Sequence, residues 1–183
     1  MIPRRSIGSD NTTKETNMKI LVIEDNRKHM EDARSFFAGQ SDTEVVFAPD
    51  FKHAREHLEP GKVDGVISDI HFPSELDEWG AEHASCGVAV MVICQERVIP
   101  CVLNTAGYHH GRRYQWVCSL QRELTLPEIV DASNDRDAEA DTKNWDEALH
   151  RLRELMEAGP CAQHNCYHNV RRGFDESLRH TCC

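Results

Sequence analysis

The stretch Asp64-Gly65-Val66-Ile67-Ser68-Asp69-Ile70-His71-Phe72-Pro73 is an apolar run that ends on a carboxylate, with a proline four residues later. A short apolar run bounded by turn formers reads as a buried strand, which offers the acid at its carboxyl end to solvent. Upstream, Lys19-Ile20-Leu21-Val22-Ile23-Glu24-Asp25-Asn26 repeats the design and delivers two adjacent acids. In open α/β sheets functional groups gather in the crevice outside the carboxyl ends of the strands. Hard divalent cations such as Mg²⁺ favour carboxylate, carbonyl and water oxygens. Glu24, Asp25 and Asp69 are therefore expected to cluster.

Working outward, short apolar runs alternate with stretches of helical spacing, which predicts a parallel sheet. The expected elements are a strand over 19–24, a helix over about 27–38, a strand over 44–48, a helix over about 50–58 and a strand over 64–69. Asp50 is a plausible N-cap, with Phe51, Ala54 and Leu58 as the apolar stripe and Pro60-Gly61 as the stop. Residues 74–86, rich in acids and small residues, read as a long loop whose length hints at a lid or a docking surface. A helix over 87–96 and a fourth strand over 98–104 follow. His109 to Leu124 reads as a helix burying Val117, Leu120 and Leu124, with a strand at Tyr114 to Cys118 as the alternative. The helix leaves 127–132 as the fifth strand. A polar loop, Ser133 to Thr142, leads to a last helix over 144–156, with Trp145, Leu149, Leu152 and Met156 at helical spacing and Gly159-Pro160 ending it.

The chain has 183 residues, 39% hydrophobic and 28% charged, with a formal net charge of −10. That suits one soluble globular domain plus tails. Direct nucleic-acid binding is not expected, because phosphate neutralisation needs clustered Lys and Arg. The dense basic pairs are scattered: Arg4-Arg5, Arg112-Arg113 and Arg171-Arg172. No apolar run approaches the roughly 20 residues that span a bilayer, and residues 1–17 lack a secretory core. The expectation is a cytoplasmic protein with a disordered leader over 1–17, a domain over 18–158 and a Cys/His-rich tail over 159–183. Cys86, Cys94, Cys101 and Cys118 read as buried thiols.

Five βα units, Ile23-Glu24-Asp25-Asn26 after the first strand, Asp69-Ile70-His71-Phe72-Pro73 after the third and Asn104-Thr105-Ala106 after the fourth resemble the receiver domain of bacterial response regulators. The resemblance covers roughly Met18 to Ala158 and implies a doubly wound, five-stranded parallel sheet, the flavodoxin-like (βα)5 receiver architecture. It implies phosphotransfer from a histidine kinase, a phosphotransfer protein or a small phosphodonor onto Asp69. Asp25 and Asp69 would bind Mg²⁺ directly, Glu24 through water, and the backbone carbonyl of His71 would complete the set. Thr105 matches the hydroxyl switch residue. Lys143 is the candidate for the lysine that pairs with the phosphoryl group, although ten residues of loop separate it from the fifth strand and the alternative parse leaves no lysine there. The aromatic switch of the fifth strand has no clear counterpart, and no output module follows, so the likeness is to a stand-alone receiver that signals by changing protein partners.

Other readings compete. A pseudo-receiver would keep the fold as a constitutive protein-binding module. The tail, with Cys161, His164, Cys166, His168, His180, Cys182 and Cys183, carries zinc-compatible ligands without standard finger spacing, so zinc-binding or redox function is a further alternative. His109-His110 suggest a transition-metal or relay site, against the plain reading of a polar helix start. His71 would tune access to the site, and Trp145 would anchor the last helix to the sheet.

Overall fold

The structure, a computed structural model, describes residues 17–75, 83–107, 115–124, 129–133 and 140–164. Its centre is a sheet of five parallel strands in the order β2-β1-β3-β6-β7. These are β1 (Met18–Ile23), β2 (Thr43–Ala48), β3 (Gly65–Ser68), β6 (Cys101–Thr105) and β7 (Ile129–Asp131). Strands that are apolar on both faces must be covered on both faces, and the side chains of this sheet divide by alternation into two cores. Leu21, Ile23, Val66, Cys101, Leu103 and Ile129 face α2 (Phe51–Arg55), α3 (Cys86–Arg97) and α4 (Gln115–Leu124). Ile20, Val22, Ile67, Val102 and Val130 face α1 (Arg27–Phe37) and α5 (Trp145–His164). The doubly wound parallel architecture is thus observed.

Local chemistry sets the helix ends. Asn26 caps α1, its side chain accepting from the Lys28 and His29 amides, and Asp50 caps α2 by accepting from His53 N. α2 is shorter than the stripe Phe51, Ala54, Leu58 implies; it stops at Arg55, yet Leu58 remains fully buried. The strand expected from Val98 starts at Cys101, because Val98 closes α3 in the left-handed region at φ 59°, ψ 40°. Its amide donates to Gln95 O and the Ile99 amide to Cys94 O, the paired bonds of a Schellman ending normally built on glycine.

The 74–86 segment contains a piece of structure its sequence does not announce. Phe72–Pro73 (β4) pairs antiparallel with His83–Ala84 (β5) as a short ribbon between β3 and α3; residues 76–82 lie outside the described residues. Gln115–Leu124 is helical, so the strand alternative over Tyr114 to Cys118 fails for 115–118, and Val117 is buried. Trp145 meets Phe37 edge-on at 6.2 Å and so anchors α5 to α1 as well as to the sheet. Gly159 breaks α5 at φ 69°, ψ 179°, where the sequence places its end, and helical turns resume to His164. Cys94 and Cys101 are buried as expected, whereas Cys86 and Cys118 are only partly so. His109-His110, residues 1–16 of the leader expected over 1–17 and residues 165–183 of the tail expected over 159–183 lie outside the described residues.

Candidate functional site

The carboxyl ends of β1 and β3 bring the expected acids together. The Asp69 amide donates to Ile23 O at 2.9 Å, which locks the end of β3 to β1 and sets Asp69 beside Glu24. Carboxylate oxygens of Glu24, Asp25 and Asp69 all lie within 4.8 Å of one another. Glu24 is fully buried, and Asp69 keeps 17% of its side chain exposed, leaving its carboxylate reachable from solvent.

Lys143 enters the same cluster. Ten residues of loop do not keep it away, because α5 lies over β3 and β6 and its entry point stands above their carboxyl ends. The ammonium lies 2.5 Å from Glu24 Oε2 and 2.8 Å from Asp69 Oδ1, with only 1% of the side chain exposed. Burial opposes the charged ammonium, but attraction to Asp69 and Glu24 outweighs it and holds the lysine above its ordinary pKa. Burial drives the Glu24 carboxyl up to about 7, with Asp69 adding repulsion and Lys143 pulling the other way.

Two residues that sequence reasoning passed over support this arrangement. His29, one turn into α1, has its ring 3.8 Å from Glu24 Oε1, and burial followed by the Lys143 charge lowers its pKa, favouring a neutral ring. Gly87, in the first turn of α3, donates to Ile70 O at 3.1 Å. A methyl group there would lie 1.9 Å from the Asp69 carbonyl oxygen and 2.8 Å from Ile70 Cα. Only glycine lets α3 approach the back of Asp69 this closely.

Thr105 ends β6, is 2% exposed, and accepts from the Gly107 amide through Oγ1 at 3.1 Å. The His71 ring sits beside Ser85, with Nδ1 3.3 Å from the hydroxyl, so it faces the start of α3. Asn104 is fully buried, and neither atom of its carboxamide has a partner among the described residues. In the sequence it only precedes the Thr105-Ala106 pair; the register across three strands sets it level with Glu24 and Asp69.

The donor set fits a hard divalent cation: three carboxylates converge, all offering oxygen, at a solvent-reachable strand end. Glu24 Oε1 is already held by the Asn26 amide at 3.0 Å, so it is oriented before any ion arrives.

No protein-family model and no curated protein matches the sequence. Solved structures do. The signal receiver domain of an HD domain-containing protein from Pseudomonas fluorescens Pf-5 is 18% identical, with a TM-score of 0.54 over 82% of this chain and 91% of that one. The receiver domain of Francisella response regulator 1452 is 17% identical, with a TM-score of 0.51 over 78% and 98%. The response regulator domain of Thermotoga maritima CheB is 18% identical, with a TM-score of 0.50 over 76% and 96%. With its strand order, its two-sided helical cover and these neighbours, the chain has the fold of response-regulator receiver domains.

Proposed function

We propose that the protein accepts a phosphoryl group on Asp69 in a Mg²⁺-dependent reaction and signals through changed protein contacts. The observation that carries this reading is the Lys143 ammonium bridging Glu24 and Asp69 at the carboxyl end of a parallel sheet. Asp69 is the nucleophile: a carboxylate oxygen bonds to phosphorus as the bond from phosphorus to the donor's histidine nitrogen, or to a small acyl donor's oxygen, breaks. The leaving atom keeps the electron pair. When bound, the cation supplies the positive charge that lets an anionic nucleophile meet an anionic phosphoryl group. Asp25 and Asp69 would hold it directly, Glu24 through water, and the His71 backbone carbonyl would complete the protein ligands. Lys143 offers its ammonium to a phosphoryl oxygen, and Thr105, by leaving Gly107 N, offers its hydroxyl to another.

A histidine kinase or phosphotransfer protein is the natural donor, and a downstream protein the natural reader. Among the described residues no helix is long and apolar enough to cross a membrane. A constitutive binding module needs no ammonium against Asp69, so the 2.8 Å contact favours the transfer reading over the pseudo-receiver. The test is beryllofluoride with Mg²⁺, followed by amide shifts around Thr105, alongside acyl-phosphate formation from a small phosphodonor. Wild type should respond in both and Asp69→Asn in neither; label retained by Asp69→Asn would move the acceptor elsewhere.

A further inference from the structure

Asn104 interrupts an apolar layer. Its neighbours on that face of the sheet, Val102 and Val130, belong to the core under α1 and α5. A buried carboxamide without a partner destabilises a fold, so its presence calls for a use. The register supplies one. β3 pairs with β6 through Ser68↔Leu103, and β1 with β3 through Ile23↔Ser68. One residue further along, Glu24, Asp69 and Asn104 stand abreast on adjacent strands, and alternation puts all three on the face that α5 covers. The Lys143 ammonium occupies the gap between the first two members of that row. The second gap, one strand spacing of about 4.8 Å away, lies between Asp69 and Asn104.

We infer that Asn104 is a positioning residue whose carboxamide oxygen is the second station of the Lys143 ammonium. Resting on the phosphotransfer reading, it works as follows. Charge arriving on Asp69 draws the ammonium away from Glu24 and toward the β6 side, where water does not reach. An ammonium has three donors and must keep them satisfied when buried. Asn104 offers an unused acceptor at that level, so the shift leaves no donor stranded. In the resting protein the same carboxamide is a liability carried for the switched state.

The experiment compares wild type with Asn104→Leu, of similar volume, in the full chain. In the resting state Asn104→Leu should melt at a higher temperature than wild type, since the orphaned polar atoms are gone. Its affinity for beryllofluoride with Mg²⁺ should fall on the order of tenfold, the effect of one hydrogen bond to a charged group. A merely structural asparagine would raise stability and leave that affinity untouched, which overturns the inference. A second measurement needs no variant: the side-chain NH₂ signals of Asn104 in wild type should shift on beryllofluoride addition, and unmoved signals overturn it as well. Wild type that binds no beryllofluoride at all would instead overturn the phosphotransfer reading, a separate result.

Discussion

Gly87→Ala sets two effects of opposite sign against each other. By helix propensity alone, alanine in place of a helical glycine stabilises by about 1 kcal/mol. The structure argues the reverse. The new methyl would lie 1.9 Å from the Asp69 carbonyl oxygen where ordinary contact begins at 3.4 Å, so backbone must yield by roughly 1.5 Å. Both clashing groups, the Asp69 carbonyl and Ile70 Cα, are backbone and cannot rotate aside as a side chain would. Overpacking of this kind costs about 1–3 kcal/mol, so the net change should be destabilising by up to roughly 2 kcal/mol after the propensity gain. The displacement falls on Asp69 itself, whose Oδ1 is held by Lys143 at 2.8 Å and by the Ile70 amide at 2.7 Å. A misplacement near 1 Å lowers a reaction rate on the order of a hundredfold. Urea unfolding gives the first quantity, and the initial rate of acyl-phosphate formation from a small phosphodonor gives the second. A variant that unfolds at higher urea than wild type would refute the close approach of α3 to Asp69.

Three further outcomes are expected. Val98→Gly should stabilise by about 1 kcal/mol in urea unfolding, since the left-handed ending of α3 strains a β-branched residue and suits glycine; an unchanged or lower midpoint would count against that conformation. Because the Glu24 carboxyl is raised from 4.5 to about 7, protons compete with the cation. Mg²⁺ affinity by calorimetry should therefore rise roughly tenfold from pH 6 to pH 8, and a flat profile would remove Glu24 from the ion site. The sign for the fold without a cation is opposite: a carboxyl raised in the folded state withdraws stability as pH climbs from about 4.5 through 7. Lys143→Met should bind Mg²⁺ on the order of tenfold more tightly, because it removes a cation that already answers Glu24 and Asp69; weaker binding would contradict the geometry.

Much of the fold was legible because its strands are continuous apolar runs closed by acids, Gly or Pro, and parallel strands buried on both faces need that composition. The acidic cluster was legible for the same reason, since two strand ends carry their acids in plain view. Lys143 was legible as a candidate only, because loop length in sequence says nothing about where α5 begins in space. The ribbon of Phe72–Pro73 and His83–Ala84 escaped, as two-residue strands have no period to detect. So did the cap at Val98, where a residue suited to strands occupies a turn. Gly87, His29 and Asn104 depend on approach distances and on register across strands, which no local pattern encodes.

The ribbon has a practical consequence. Phe72 is fully buried and pairs with Ala84, so the ribbon itself is a fixed mount that begins three residues after Asp69. A cysteine for a fluorophore in place of the exposed Ser74, directly after β4, would ride on that mount and report on whatever reaches the Asp69 carboxylate.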